Sequence, residues 1–161
     1  MSQAGVIDGL QFARGELEQR GSLGIQDMPR LAQMNCRADR LEYVLKGGVS
    51  GDGKPFLRIS VSGELRLTCQ RCLGLLAFPM AFEVELQLTE SLREIETAED
   101  DLDRVLAAKA MDVARLVEDE VILALPMAPR HERCVSTGAA AMKKESPFGA
   151  LAALKRGDKG H

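Results

Sequence analysis

Two long stretches of strict alternation constrain this chain more than any other feature. In residues 57–69 the odd positions are Leu57, Ile59, Val61, Gly63, Leu65, Leu67 and Cys69, and the even positions between them are polar or charged. In residues 78–88 the parity reverses: Phe78, Met80, Phe82, Val84, Leu86 and Leu88 are even, with Pro79, Ala81, Glu83, Glu85 and Gln87 between. A side-chain period of two is the mark of a half-buried strand. Leu41, Tyr43 and Leu45 suggest a third strand, and GGVSGDGK (47–54) reads as a glycine-rich hairpin connection. The expected assembly is an antiparallel meander over roughly 36–46, 56–69 and 75–89. Pro79 should lie at an edge or a bulge, because it has no N–H for the ladder. One face of such a sheet is apolar and must be covered.

The cover is sought in helices. Residues 10–20 (LQFARGELEQR) are mostly good helix formers, with Gly21 as a C-cap, and MPRLAQM predicts a short helix after Asp27 with Pro29 in its first turn. A further helix is predicted near 112–124, with Asp112 as N-cap and Pro126 after its end; Val113, Leu116, Val117, Val121 and Ala124 share one face. In the run Glu118, Asp119, Glu120, the third lies beside that apolar face and the first two point to solvent. Three consecutive carboxylates cannot converge as a catalytic pair.

The predicted class is α+β: an antiparallel β-meander or partly open small barrel covered by helices, with a flexible C-terminal tail. Residues 1–130 form the expected domain. It comprises a helical N-terminal segment over about 8–34, a β core over about 35–90, an acidic loop over about 91–110 and a helix over about 112–125. The loop carries six acidic and no basic residues between Glu94 and Asp103 and should be solvated. Residues 131–161 form a basic tail, in which SPFGALAALKR predicts a short helix over about 147–156.

At 161 residues, 45% hydrophobic and 28% charged, the chain has ordinary globular composition. A net charge of −3, no tryptophan and one tyrosine argue against a broad nucleic-acid face. There is no signal-like N-terminus and no apolar run long enough to span a bilayer, so a cytoplasmic protein is expected, without membrane contact or a small-molecule substrate. Stable disulfides are rare there, which turns attention to TCQRCLG (68–74).

That stretch occupies the turn between the two alternating strands. Cys69 and Cys72 stand at CxxC spacing, with Gly74 two residues on. Three readings stay open: half of a metal site, a redox pair, or a turn with two small apolar residues. A redox pair of the thioredoxin kind opens a helix in a βαβ context, which is missing here. A structural zinc needs four ligands, and PRHERC offers His131 and Cys134. The candidate site is therefore Cys69, Cys72, His131 and Cys134, its halves about 60 residues apart, a long separation for a compact ribbon. Against it, Cys69 continues the inward row and could be a simple buried thiol, and His131 a loop residue. Cys36 is isolated and carries no chemistry. No P-loop, GxSxG or HExxH is present, and His131 and the terminal His161 are the only histidines. No enzymatic constellation can be assembled, so a nuclease or RNA-modifying enzyme is the weakest class.

Three stretches taken together, LTCQRCLG (67–74), LVEDEVILALPMAPRHERC (116–134) and SPFGALAALKR (146–156), resemble the bacterial YceD-like proteins, called large ribosomal RNA subunit accumulation proteins. The resemblance covers roughly residues 35–156. It implies a non-enzymatic role in making, processing or stabilising 23S ribosomal RNA, with a large-subunit ribosomal protein or assembly intermediate as a partner. The family's paired cysteines match Cys69 and Cys72, its later cysteine matches Cys134, and His131 sits in the usual place. With an acidic, aromatic-poor domain, contact with RNA should be local or indirect. One route is the basic tail through Lys143, Lys144, Lys155 and Arg156. The other is a basic protein held by Glu94, Glu96, Glu99, Asp100, Asp101 and Asp103, steered by opposite charge. The competing class is a zinc-binding or thiol-redox protein unrelated to RNA.

Overall fold

A computed structural model describes residues 5–134 of the chain. The chain divides into two compact units, Met1–His131 and Glu132–His161. The meander is present nearly at its predicted bounds. Strand β3 spans Arg37–Val49, β4 Pro55–Thr68 and β5 Leu75–Thr89, all paired antiparallel in sequence order. The inward rows are those set by the alternation. Leu41, Tyr43 and Leu45 of β3 lie against Leu57, Ile59, Val61, Leu65 and Leu67 of β4, all buried. Across the β4–β5 turn the parity switch keeps both rows on one face, because Ile59 pairs with Val84 and Leu65 with Phe78.

Four further strands precede or follow the meander. β1 (Val6–Ile7) pairs with β7 (Met111–Asp112) as a separate two-stranded sheet. β2 (Glu18–Leu23) pairs antiparallel with β3, and β6 (Arg104–Leu106) pairs parallel with the last three residues of β5. The main sheet is therefore mixed, in the order β2-β3-β4-β5-β6, and does not close into a barrel. The open-sheet alternative is the one realised. Pro79 lies where no described strand pairs with the outer side of β5, as an edge proline must.

The predicted N-terminal helix over 10–20 is corrected to two elements. Helix α1 covers only Gly9–Arg14, capped by the Asp8 carboxylate accepting from the Gln11 N–H. Residues 18–23 are strand, so Gly21 is not a helix cap but a β2 position opposite Tyr43. A Cβ there would come within 2.7 Å of the Tyr43 hydroxyl, so the missing side chain makes room for the ring.

After a short 3-10 turn at Ile25–Asp27, helix α2 (Pro29–Gln33) starts with Pro29 in its first turn, as the sequence predicts. The segment read as an acidic loop contains helix α3 (Leu92–Thr97) as well as β6. Helix α4 (Val113–Ala124) matches its predicted span, and the Asp112 side chain accepts from the Arg115 N–H. Val113, Leu116, Val117 and Val121 are buried and join Phe12, Ala13 and Leu31 in the same apolar cluster as the sheet. No helix among the described residues is long and apolar enough to cross a membrane.

Glu118 does not point to solvent. It is 2% exposed, and its carboxylate accepts from the backbone N–H groups of Arg30 and Leu31 at the start of α2. Helix α2 has no capping side chain of its own, so its orphan N–H groups recruit a carboxylate from another helix, where the helix dipole also favours negative charge. A helical wheel of α4 alone cannot register a partner that arrives from the side.

Candidate metal centre

The centre is built on the tip between β4 and β5. The Cys69 N–H donates to the Gly74 carbonyl and the Leu73 N–H to the Cys69 carbonyl, both at 2.9 Å. These bonds close residues 69–74 into a tight knuckle. Leu73 takes φ +60° to complete it, a conformation uncommon for a bulky residue. Gly74 leaves room for sulfur, since a Cβ there would stand 3.3 Å from Cys72 Sγ.

The second half arrives from beyond α4. The Gln70 N–H donates to the Pro129 carbonyl at 2.8 Å, which fastens the segment after the helix to the knuckle. Leu125, Pro126 and Pro129 line one small cavity together with Leu67, Thr68 and Gln70. The sequence separation between the halves is thus bridged by laying the exit of α4 alongside the hairpin end.

His131 sits in that junction and its ring is oriented at both nitrogens. Nε2 lies 2.8 Å from the Leu75 carbonyl oxygen. A carbonyl can only accept, so Nε2 carries a proton, and the nitrogen that a metal ion would take is Nδ1. Nδ1 lies 3.4 Å from Cys72 Sγ. This is the arrangement expected of a metal-ligating histidine, whose other nitrogen donates to a backbone carbonyl. The His131 backbone N–H points at Cys69 Sγ, 3.4 Å away.

The ligand atoms of Cys69, Cys72 and His131 lie within 4.8 Å of one another. A tetrahedral zinc with Zn–S of about 2.3 Å and Zn–N of about 2.0 Å sets ligand atoms roughly 3.5–3.8 Å apart. These three donors fit such an ion in kind, and their separations need to close by no more than about 1 Å. Three of the four candidate ligands, Cys69, Cys72 and His131, are brought together within the first unit, and they could hold a metal ion. The four cysteines form no disulfide.

The electrostatics favour thiolate at Cys69. Burial pushes its thiol up, but backbone N–H groups of Cys72, His131 and Arg71, with the Cys72 side chain, more than offset this and bring it down to about 5. A thiolate is the form that ligates metal. Cys36 contrasts with it: buried without such donors, its thiol is pushed up by desolvation.

The other predicted contact residues are not gathered here. In the acidic segment, Asp100 is bound bidentately by Arg104, at 2.5 and 2.7 Å, and that hydrogen bonding holds its carboxyl below the usual range. Glu94 accepts from the Thr89 hydroxyl. Lys143, Lys144, Lys155, Arg156 and the helix expected over 147–156 lie outside the described residues. Sequence reasoning missed the Leu75 carbonyl and the Gln70 and His131 N–H groups, because backbone atoms carry no residue-type signal.

The family model of the large ribosomal RNA subunit accumulation protein YceD matches residues 57–155, which is more than half of the chain and takes in the knuckle, α4 and all four candidate ligands. No curated protein and no solved structure matches the chain. The chain belongs to the YceD family of large ribosomal RNA subunit accumulation proteins.

Proposed function

We propose, with that family membership as the premise, that the protein supports accumulation of large-subunit 23S ribosomal RNA by binding rather than by catalysis, and that Cys69, Cys72, His131 and Cys134 hold one structural zinc ion. The family is named for accumulation of the large ribosomal RNA subunit, not for an enzyme. Its partner is that RNA or a ribosomal protein bound to it.

The observation that carries the zinc reading is the orientation of His131. Its Nε2 proton is committed to the Leu75 carbonyl, which leaves Nδ1 among the sulfurs. Three thiols and one imidazole make a closed set of four, with no position left for substrate, and closed sites of this kind contribute folding energy. The lowered thiol of Cys69 would also suit a redox pair. Its side chain, however, is 0% exposed, and a redox thiol needs access as well as a low pKa.

Two measurements test the reading. Untagged protein purified without chelator should contain about one zinc per chain, lost in Cys69→Ser and Cys134→Ser. Cells lacking the gene should show a fall in large relative to small ribosomal RNA, restored by the native gene and not by the double variant Cys69→Ser/Cys72→Ser. An unchanged ratio in the deletion would sink the functional reading whatever the metal content.

A further inference from the structure

The outer face of the sheet beside the knuckle pairs like with like. Arg37 on β3 and Arg66 on β4 are direct cross-strand partners, and both are exposed. Cross-strand neighbours have Cβ atoms about 4.5–5.5 Å apart, and like charges there are destabilising. Among the described residues one carboxylate binds the pair: Asp39 meets Arg66 at 2.7 Å, with its own side chain 82% exposed. Arg37 makes no salt bridge with a described residue. The β3 register also shifts between Ala38 and Leu41. That bulge leaves both Asp39 and Arg40 outside, so a third guanidinium joins the same stretch of strand, with Glu64 across from it.

This arginine pair lines a groove of about 800 Å3 between the end of α2 and the knuckle. Asn35 and Thr68 add polar groups, and Leu73 and Leu75 form an apolar wall, 74% and 66% exposed. Asn35 and Leu73 both have positive φ, +58° and +60°. Backbone strain of this kind concentrates at ligand clamps, and a leucine in it, left in water, is a costly choice for a turn that glycine would serve.

The geometry points to this groove as a binding site for single-stranded RNA, with Arg37 and Arg66 on the phosphates and Leu73 and Leu75 against base faces. The assignment rests on the proposed function and specifies its local contact. Guanidinium forks match phosphate oxygens bidentately, and a polyanion relieves the Arg37–Arg66 repulsion that the fold leaves in place. Unstacked bases offer faces to apolar side chains, whereas the wide groove of duplex RNA is met mainly by phosphate and 2′-hydroxyl contacts. An overall charge of −3 is no obstacle, because the negative charge is concentrated in the 94–103 segment, in another part of the chain.

The test uses the full zinc-loaded chain and a short, labelled, mixed-sequence single-stranded RNA, with binding read by fluorescence anisotropy across a salt series. Arg37→Ala/Arg66→Ala should weaken binding about tenfold at low salt. It should flatten the dependence of log K on log salt by about 1.4, at roughly 0.7 per phosphate contact on single strands. Arg58→Ala, at the other end of the same face and paired with Glu85, should bind as the native chain does. Both arginines are exposed and their pairing is repulsive, so a thermal midpoint at or above the native value verifies folding. Native-like RNA binding by the double variant would overturn the assignment while leaving the accumulation role intact. No RNA binding by the native chain would also overturn it; if the double variant then also fails to sediment with large-subunit precursors, the groove takes an acidic protein. The accumulation role itself fails separately, by an unchanged ribosomal RNA ratio in the deletion.

Discussion

The Glu118 carboxylate accepts a 2.6 Å hydrogen bond from the backbone N–H of Arg30, a residue 88 positions away in sequence. It also accepts from the Leu31 N–H, and its second oxygen meets the Arg30 guanidinium at 3.1 Å. One buried side chain thus caps α2, neutralises Arg30 and fixes the distance between α2 and α4. Hydrogen bonds to a charged group contribute about 1.5–3 kcal/mol each, and removing one partner strands the others. Glu118→Ala should therefore cost about 3 kcal/mol in denaturant unfolding, and Glu118→Gln somewhat less. The adjacent Asp119, whose pair with Arg30 is 44% and 41% exposed, should cost no more than about 0.5 kcal/mol when replaced by Ala. Equal effects at the two positions would refute the capping role.

Helix α1 packs on β3 at Gly47 with no room for a side chain. A Cβ on Gly47 would fall 2.4 Å from the Phe12 carbonyl oxygen and 2.7 Å from Ala13 Cα. Both obstacles are backbone, so no side chain can swing away. Gly47→Ala should push α1 outward and loosen Phe12 and Ala13, which are buried in the core. Overpacking of this kind costs about 1–3 kcal/mol. Ala at exposed Gly51, where nothing lies within 4 Å, is the matched control and should be near neutral by the same unfolding measurement.

The parts of this fold visible in the sequence are those whose signal is local. Alternation through Leu57–Leu67 and Phe78–Leu88 reports burial on one side of a strand, and the structure keeps both rows inside. Asp112 and Pro126 bracket α4 because caps and breakers act within one turn. Residues 18–23 carry no such signal: EQRGSL has one large apolar residue, Leu23, and becomes strand only because β3 offers an unpaired edge. Glu118 was misplaced for the same reason, since its burial is set by α2 and not by α4. The candidate metal centre was legible as four residue types at workable spacing. The ring orientation of His131, which depends on the Leu75 carbonyl, was not.

Without a metal ion, the thiolate preference of Cys69 shows as a pH dependence. The ordinary value for the group is 9.0, and in the fold it stands near 5. The folded value is depressed, so the thiolate stabilises the fold above about 9, progressively less between 9 and 5, and not at all below about 5. Metal-stripped native protein should therefore lose stability relative to metal-stripped Cys69→Ser as pH falls through that window. The ultraviolet absorbance of thiolate, followed in both proteins, should place the missing step near 5. A step near the ordinary cysteine value instead would mean that the knuckle N–H groups do not hold the sulfur as an anion.

The acidic segment supplies the last expectation. Of its six carboxylates, Asp100 is spent on Arg104 and Glu94 on Thr89. Glu96, Glu99, Asp101 and Asp103 make no salt bridge with a described residue. Charges of one sign on a solvated edge speed encounter with a basic partner more than they hold it. Converting Glu96, Glu99 and Asp101 to their amides should therefore slow association with a basic large-subunit protein several-fold at low salt, and change dissociation little. Near 1 M salt, where the screening length falls to about 3 Å, the difference should vanish. Asp100→Asn should act differently. It releases Arg104, whose strand pairs with the end of β5, and so should show in stability rather than in association. If the amide variant associates at the native rate at low salt, the segment is only a solvated edge, and basic partners must be met elsewhere on the chain.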